Sequence, residues 1–264
     1  MRTIQTYFKL AFADVRSQMQ HQASFWMNTV GNLIASGGSF VMIWALFASF
    51  GKLGEWSMAE IAVLYGIVNS AYALAEGVGR GFERFNQLVK TGDFDRVLLR
   101  PRGTLFQILS SEMEAARAGR LIQAVGALWL GLAAMPQVVG PGQIALILLC
   151  IVGGMLLFLG LLMMQAAVCF WTVESIEVFN VLTFGGISAA AYPLDVFRKW
   201  LRDFFLYMIP IGFINYLPCA YLFGKALPYP AWTAFLAPVA GALFLALGAV
   251  LWQAGVRHYR SCGA

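Results

Sequence analysis

Charge is scarce in this sequence of 264 residues: 12% of its residues are Asp, Glu, Lys or Arg, against 60% that are apolar. The charged share of soluble domains is about 25%. A soluble chain of this size could not bury so much apolar surface, and the mean hydropathy of +0.71 points the same way. Histidine is nearly absent, with His21 and His258 alone, both outside the apolar runs. An intramembrane zinc site or Ser–His dyad would need one at depth. The four cysteines, Cys150, Cys169, Cys219 and Cys262, are scattered without a CxxC pair, so a disulfide framework and a metal cage are both excluded. No GxxxxGK[ST] loop is present, and the lone Gly51–Lys52 pair lacks the glycines that cradle phosphate, so the chain does not hydrolyse ATP by itself. The N-terminus lacks the apolar core and small-residue cleavage site of a signal peptide and is expected to be retained.

What is present is long apolar runs. A hydrocarbon core takes about 20 helical residues to cross. Six spans are predicted, near 25–49, 58–79, 116–135, 143–171, 176–192 and 232–256, in one all-α polytopic domain covering 1–264. The fourth and fifth are separated only around Glu174 and Glu177. The net charge of +5 comes from clusters between these runs rather than from a basic stripe, which argues for membrane topology and against nucleic acid. With the N-terminus inside, only Lys52, Arg198, Lys199, Arg202 and Lys225 fall outside. The positive-inside rule therefore puts both termini in the cytoplasm. Residues 1–22 interleave Tyr7, Phe8, Leu10 and Val15 with Lys9, Asp14 and Arg16, as an amphipathic helix on the inner face would.

Ionisable residues inside a membrane are functional candidates. Here Glu60, Glu76, Glu174 and Glu177 all fall near span ends, and Glu76 is read as an i, i+4 helix-end salt bridge to Arg80. Gly185-Gly186-Ile187-Ser188 resembles a nucleophile loop only faintly; close helix packing is the better reading of its small residues.

Two polar segments interrupt the apolar pattern. In the inner one, 80–115, Phe82, Phe85 and Val89 recur at helical spacing opposite Glu83, Arg84 and Gln87. Gly92 is expected to stop that helix, Asp93 to N-cap a short one through Leu99, and Pro101 to break it. Either this is a solvated loop with a surface helix, or a helical knob that docks on a cytosolic partner. In the outer segment, 193–222, Leu194, Phe197, Leu201, Phe204 and Met208 follow 3–4 spacing opposite Asp195, Arg198, Lys199, Arg202 and Asp203. Pro193, Pro210 and Pro218 break it into two short helices that enter the outer leaflet without crossing. A seventh span is the competing reading.

The strings TGDFDRVLLRP (91–101) and YPLDVFRKWLRDFFLYMIPIGFINYLP (192–218), within this arrangement of spans, resemble a bacterial subfamily of the ABC-2 type permeases over essentially the whole chain. The resemblance implies a transmembrane subunit of an ABC exporter in the bacterial inner membrane. It implies two copies of a separate ATPase subunit, which bind ATP and Mg, and a second six-span permease as heterodimer partner, or alternatively a homodimer. Gly92, Asp93, Phe94, Asp95, Arg96 and Leu98 would then form the coupling loop, with Phe94 and Leu98 as apolar contacts on the ATPase. Pro193, Phe197, Arg198, Leu201, Pro210 and Pro218 would shape the outer gate helices. The first and fifth spans would meet across the dimer through Gly31, Ala35 and Gly38 and through Gly185, Gly186 and Ala189. The 21 Phe, 8 Trp and 9 Tyr suit a lipid-like cargo and equally a lipid-facing belt. The alternative function is a membrane scaffold or sensory subunit that moves nothing.

Overall fold

The computed structural model describes residues 53–111, 118–135, 139–172, 176–227 and 229–260, with Met27, Val30, Gly31, Ile34, Gly37, Gly38 and Val41 before them. The amphipathic N-terminal segment and most of the first expected span lie outside the described residues, as does Ala35. The architecture is helical; the sole β pairing among the described residues is the bridge of Leu53 to Trp56.

The helices, in chain order, are α1 (Met58–Glu83), α2 (Phe85–Lys90), α3 (Phe94–Leu98), α4 (Thr104–Leu109), α5 (Ala118–Ala133) and α6 (Pro141–Val168). They are followed by α7 (Ile176–Ala190), α8 (Lys199–Asp203), α9 (Ile211–Ile214), α10 (Tyr216–Leu222) and α11 (Ala237–His258). Three are long and apolar enough to cross a membrane: α1 continued by α2, α6, and α11. A fourth crossing results if α8 and its extension to Met208 are joined with α9 and α10, a pair bent by 76°. Helices α5 and α7 are apolar but shorter. The expected break between the fourth and fifth spans falls after Val168, where Cys169–Thr172 turn out of α6.

Helix α1 is central, buried from Ile61 to Ala73 on all sides. It starts with a capping box: the Ser57 side chain accepts the Glu60 amide at 3.3 Å, and Glu60 Oε2 accepts the Ser57 amide at 2.7 Å. Glu60 is thereby occupied in holding a helix start.

Between apolar helices in lipid, close approach of backbones replaces the hydrophobic drive. A close approach joins α6 to α11, where glycines seven residues apart face each other: Gly153 and Gly160 against Gly241 and Gly248. A Cβ on Gly241 would collide with the Gly153 carbonyl oxygen, and one on Gly248 would stand 2.8 Å from that of Gly160. Gly241→Ala is therefore expected to cost about 1–3 kcal/mol through overpacking. Gly126→Ala on α5, where no described residue lies within 4 Å, should leave stability level or raised. Melting of both variants in detergent checks the contrast.

The outer segment departs from the single amphipathic helix expected from Leu194 to Met208. Leu194–Val196 is a 3₁₀ turn, Phe197 and Arg198 are extended, and α8 starts only at Lys199. The physical reason is a competing contact: Asp195 turns aside to accept the Trp56 indole N–H at 3.0 Å. Beyond Asp203 the chain widens into a π turn, with the Ile209 amide donating to the Phe204 carbonyl. Pro210 follows as the elbow before α9. Pro218 is tolerated in the first turn of α10, where its missing N–H is not needed.

Candidate functional site

The inner polar segment folds back on the helix ends. Gly92 takes φ 74°, the left-handed conformation that ends α2 without a Cβ clash. Asp93 sits at the N-cap position of α3, but its side chain makes no cap. It accepts the Thr91 hydroxyl at 2.7 Å and pairs with Arg96 at 3.2 Å instead. Asp95 lies in the first turn of α3 and Arg96 in its last.

Phe94 corrects the sequence expectation. It is fully buried within its own chain and is no surface contact. Its ring packs edge-on against Phe85 at 5.1 Å, Phe170 at 5.3 Å and Tyr259 at 4.9 Å, with Trp252 at 6.4 Å. These rings come from α2, the turn after α6, and α11 with its C-cap. Offset aromatic pairs of this kind add about 0.5–1.5 kcal/mol each beyond their burial. The Trp252 indole also donates to the Thr104 hydroxyl at 3.2 Å, and the Gln107 carboxamide donates to the carbonyls of Val97 and Arg102. The loop is thus bolted to the ends of α1, α6 and α11. Its tip is not: Leu98 is 42% and Leu99 86% exposed, and Arg100, Pro101 and Arg102 are exposed beside them. The apolar knob is therefore Leu98 with Leu99. Phe94, with its aromatic neighbours, is what holds it in place.

The expected Glu76–Arg80 pair does not form. Glu76 reaches across to Arg120 of α5 at 2.9 Å, and Arg80 pairs with Glu83 one turn on. Arg120 also lies over the Tyr72 ring at 5.2 Å. An ion pair between helices, 44 residues apart in sequence, was invisible to a rule about helical neighbours. The side chain of Glu177 and all of Glu174 lie outside the described residues.

At the other end, the bent pair plugs the space between α1, α6 and α7. Asn215, buried at the elbow of α9 and α10, donates to the carbonyls of Leu64 at 3.1 Å and Ala190 at 2.5 Å. Ile214 meets Gly154 of α6, roughly 20 Å along that helix from Pro141. Pro193, Phe197 and Leu201 pack toward this core or lead into it, while Arg198 is exposed. The mouth is tied by Lys225, which donates to the Glu55 carbonyl at 2.7 Å, pairs with Glu60 at 3.0 Å and lies over the Trp56 ring at 5.5 Å. Sequence reading saw Lys225 only as one outer charge. Because both partners are largely covered, Lys225→Met is expected to lower stability by about 1 kcal/mol, the upper end for surface pairs. A melting shift of a few degrees, lost when Glu60→Gln is added, would show it.

The small-residue faces divide. Among the described residues, nothing lies within 4 Å of where a Cβ would stand on Gly31, Gly38 or Gly185, and Gly185 lies beside exposed Phe184. Gly186 is turned inward, where a Cβ would meet Ile211 at 2.7 Å, and Ala189 packs against the core.

A family model described as ABC-2 family transporter protein matches residues 33–263. No curated protein and no solved structure matches the chain. With apolar crossing helices, a bolted loop at one end and a bent helix pair at the other, the chain belongs to the ABC-2 transporter family and is a membrane permease subunit of an ABC transporter, not itself a catalyst.

Proposed function

We propose that the chain is the permease of an ATP-driven exporter in a bacterial inner membrane, working with two copies of a separate ATPase subunit that bind ATP and Mg. It is read as one permease domain of six spans: the interval 25–49, α1, α5, α6, α7 and α11. Both termini are cytoplasmic, and 193–222 enters the outer leaflet as a gate without crossing. It pairs with a second, related six-span permease or with its own copy through Gly31, Ala35, Gly38 and Gly185, the exposed face of α7 supporting this use.

One observation carries the reading. A short helix, buried at its base by Phe94 and exposed at its tip through Leu98 and Leu99, links the ends of three long helices to an open apolar knob. Nucleotide binding changes a transporter only by stabilising one of its states over another. Motion of an ATPase groove around Leu98–Leu99 would be passed rigidly through Phe94 to α1, α6 and α11. Asp93, Asp95 and Arg96 set the register around the knob, with Gly92 allowing the turn. Affinity purification of the tagged chain from native membranes should bring down a P-loop ATP-binding subunit. Recovery without any nucleotide-binding protein would overturn the proposal. Recovery of the ATPase without cargo movement in vesicles would favour a scaffold or sensory subunit.

A further inference from the structure

Trp56 sits on a turn that holds its own shape. The Leu53 amide donates to the Trp56 carbonyl at 3.2 Å, and the Trp56 amide donates back to the Leu53 carbonyl at 3.1 Å. Gly54, at φ 62°, takes the left-handed corner between them. The backbone of Trp56 is therefore fixed locally, whatever its side chain touches. That side chain is 1% exposed, whereas Trp200 and Trp232, also at this end of the helices, are exposed.

Four residues of the bent segment and its flanks close on the indole. Asp195 accepts its N–H at 3.0 Å. The rings of Tyr216 and Phe223, from α10 and its C-cap, stand 6.0 and 6.2 Å away, and the Lys225 ammonium lies over the indole at 5.5 Å. Asp195 precedes α8 and Lys225 follows α10, so one side chain fastens both ends of the segment to the start of α1.

The segment's other attachment differs in kind. Asn215 is buried at the elbow of α9 and α10, where its amide is shared between Leu64 of α1 and Ala190 of α7. Parting those bonds would strand polar groups away from water. At the mouth, Asp195 is exposed and the Lys225–Glu60 pair is only partly covered, so water can take over these links as they part. The segment thus has a fixed point at its elbow and a releasable one at its mouth. Between the two ends of the bent pair lies the π turn Phe204–Met208, a geometry that recurs at functional sites.

We propose, on the reading of 193–222 as the outer gate, that Trp56 is its latch. While the indole is seated, the mouth end of α10 is held against α1; its release lets the bent pair tilt about Asn215. The contact is made within one chain, so its test needs neither the ATPase nor cargo.

Native thiols report the tilt. Cys219, one turn along α10 from Asn215 toward the mouth, is buried, and so is Cys169 at the opposite end of α6. The full-length chain in lipid nanodiscs is treated with a water-soluble maleimide, and labelling is read at each cysteine by mass spectrometry. Trp56→Phe keeps an aromatic ring in the socket and removes the N–H. Cys219 should then label about tenfold faster than in wild type, with Cys169 unchanged, because labelling follows the population of the locally open state. Asp195→Ala should act alike, and Asp195→Asn, which keeps an acceptor oxygen, should restore most of the protection. Unchanged labelling of Cys219 in both Trp56→Phe and Asp195→Ala would overturn the latch. A parallel rise at Cys169 would also overturn it, since the whole chain would then have loosened. The gate itself is checked apart, by Arg198→Cys in intact cells with the same reagent added outside. Absence of reaction there would remove gate and latch together; reaction there with Cys219 still protected in both variants would remove the latch alone.

Discussion

Phe94→Ala is expected to destabilise the end of the molecule that carries the 80–111 loop by about 3–5 kcal/mol, the usual loss when a fully buried aromatic ring is emptied from a core. The ring has no exposed surface, and four other rings lie around it. Its removal leaves a cavity that Phe85, Phe170 and Tyr259 cannot close without moving three backbone segments. Helix α3 has five residues and no side-chain cap, so it has no independent means of staying folded. Its tip should lose its position together with its base. Two measurements would read this: a lowered melting temperature, and faster proteolysis between Arg96 and Arg102. Phe94→Leu, which refills most of the space, should recover more than half of the loss. A Phe94→Ala protein with native melting and native protease resistance would mean that the aromatic cluster does not hold the loop.

The second large effect is expected at the tip, and it should be the opposite in kind. Leu98→Asp with Leu99→Asp changes side chains that are already exposed, so folding should be untouched within about 0.5 kcal/mol. Binding of the ATPase should fall by more than tenfold, since apolar anchors at the centre of an interface contribute about 2 kcal/mol or more each. Arg96→Ala, with 81% of its side chain exposed, should change little, because rim charges contribute little. Co-purification of the ATPase with the three proteins, alongside their melting curves, separates a docking defect from a folding defect. A double variant that retains the ATPase at wild-type yield would remove Leu98 and Leu99 from the interface.

The two effects together show where sequence reading succeeded and where it could not. The loop's punctuation was legible: Gly92 does take the left-handed turn, and Phe82, Phe85 and Val89 do form the buried face that 3–4 spacing predicts. The residues that break the outer segment, Pro193, Pro210 and Pro218, do sit at its turns or in a first helical turn. What spacing could not disclose was the partner on the far side of each contact. Phe94 looks like a surface anchor in a polar string. Only the fold brings Phe170 and Trp252, more than 75 residues away in sequence, around it. Glu76 had a helical neighbour in Arg80 and chose Arg120 on another helix. Asp195 fitted the polar face of an expected helix, and the indole of Trp56 drew it out of that helix. The glycine seam of α6 and α11 was hidden for a related reason. Gly153, Gly160, Gly241 and Gly248 are unexceptional in separate apolar runs and acquire meaning only in register with one another.

Coupling through the loop is the central claim, and its most direct measurement is a contact map of the tip. A photoreactive amino acid placed at Leu99, in otherwise native membranes, should crosslink to an ATP-binding subunit upon irradiation. The same group at exposed Trp200, in the outer segment, should not. The yield at Leu99 should change when ATP is trapped, because the groove is expected to shift between states. A Leu99 product containing only lipid or a second permease, with no ATP-binding subunit, would contradict the account.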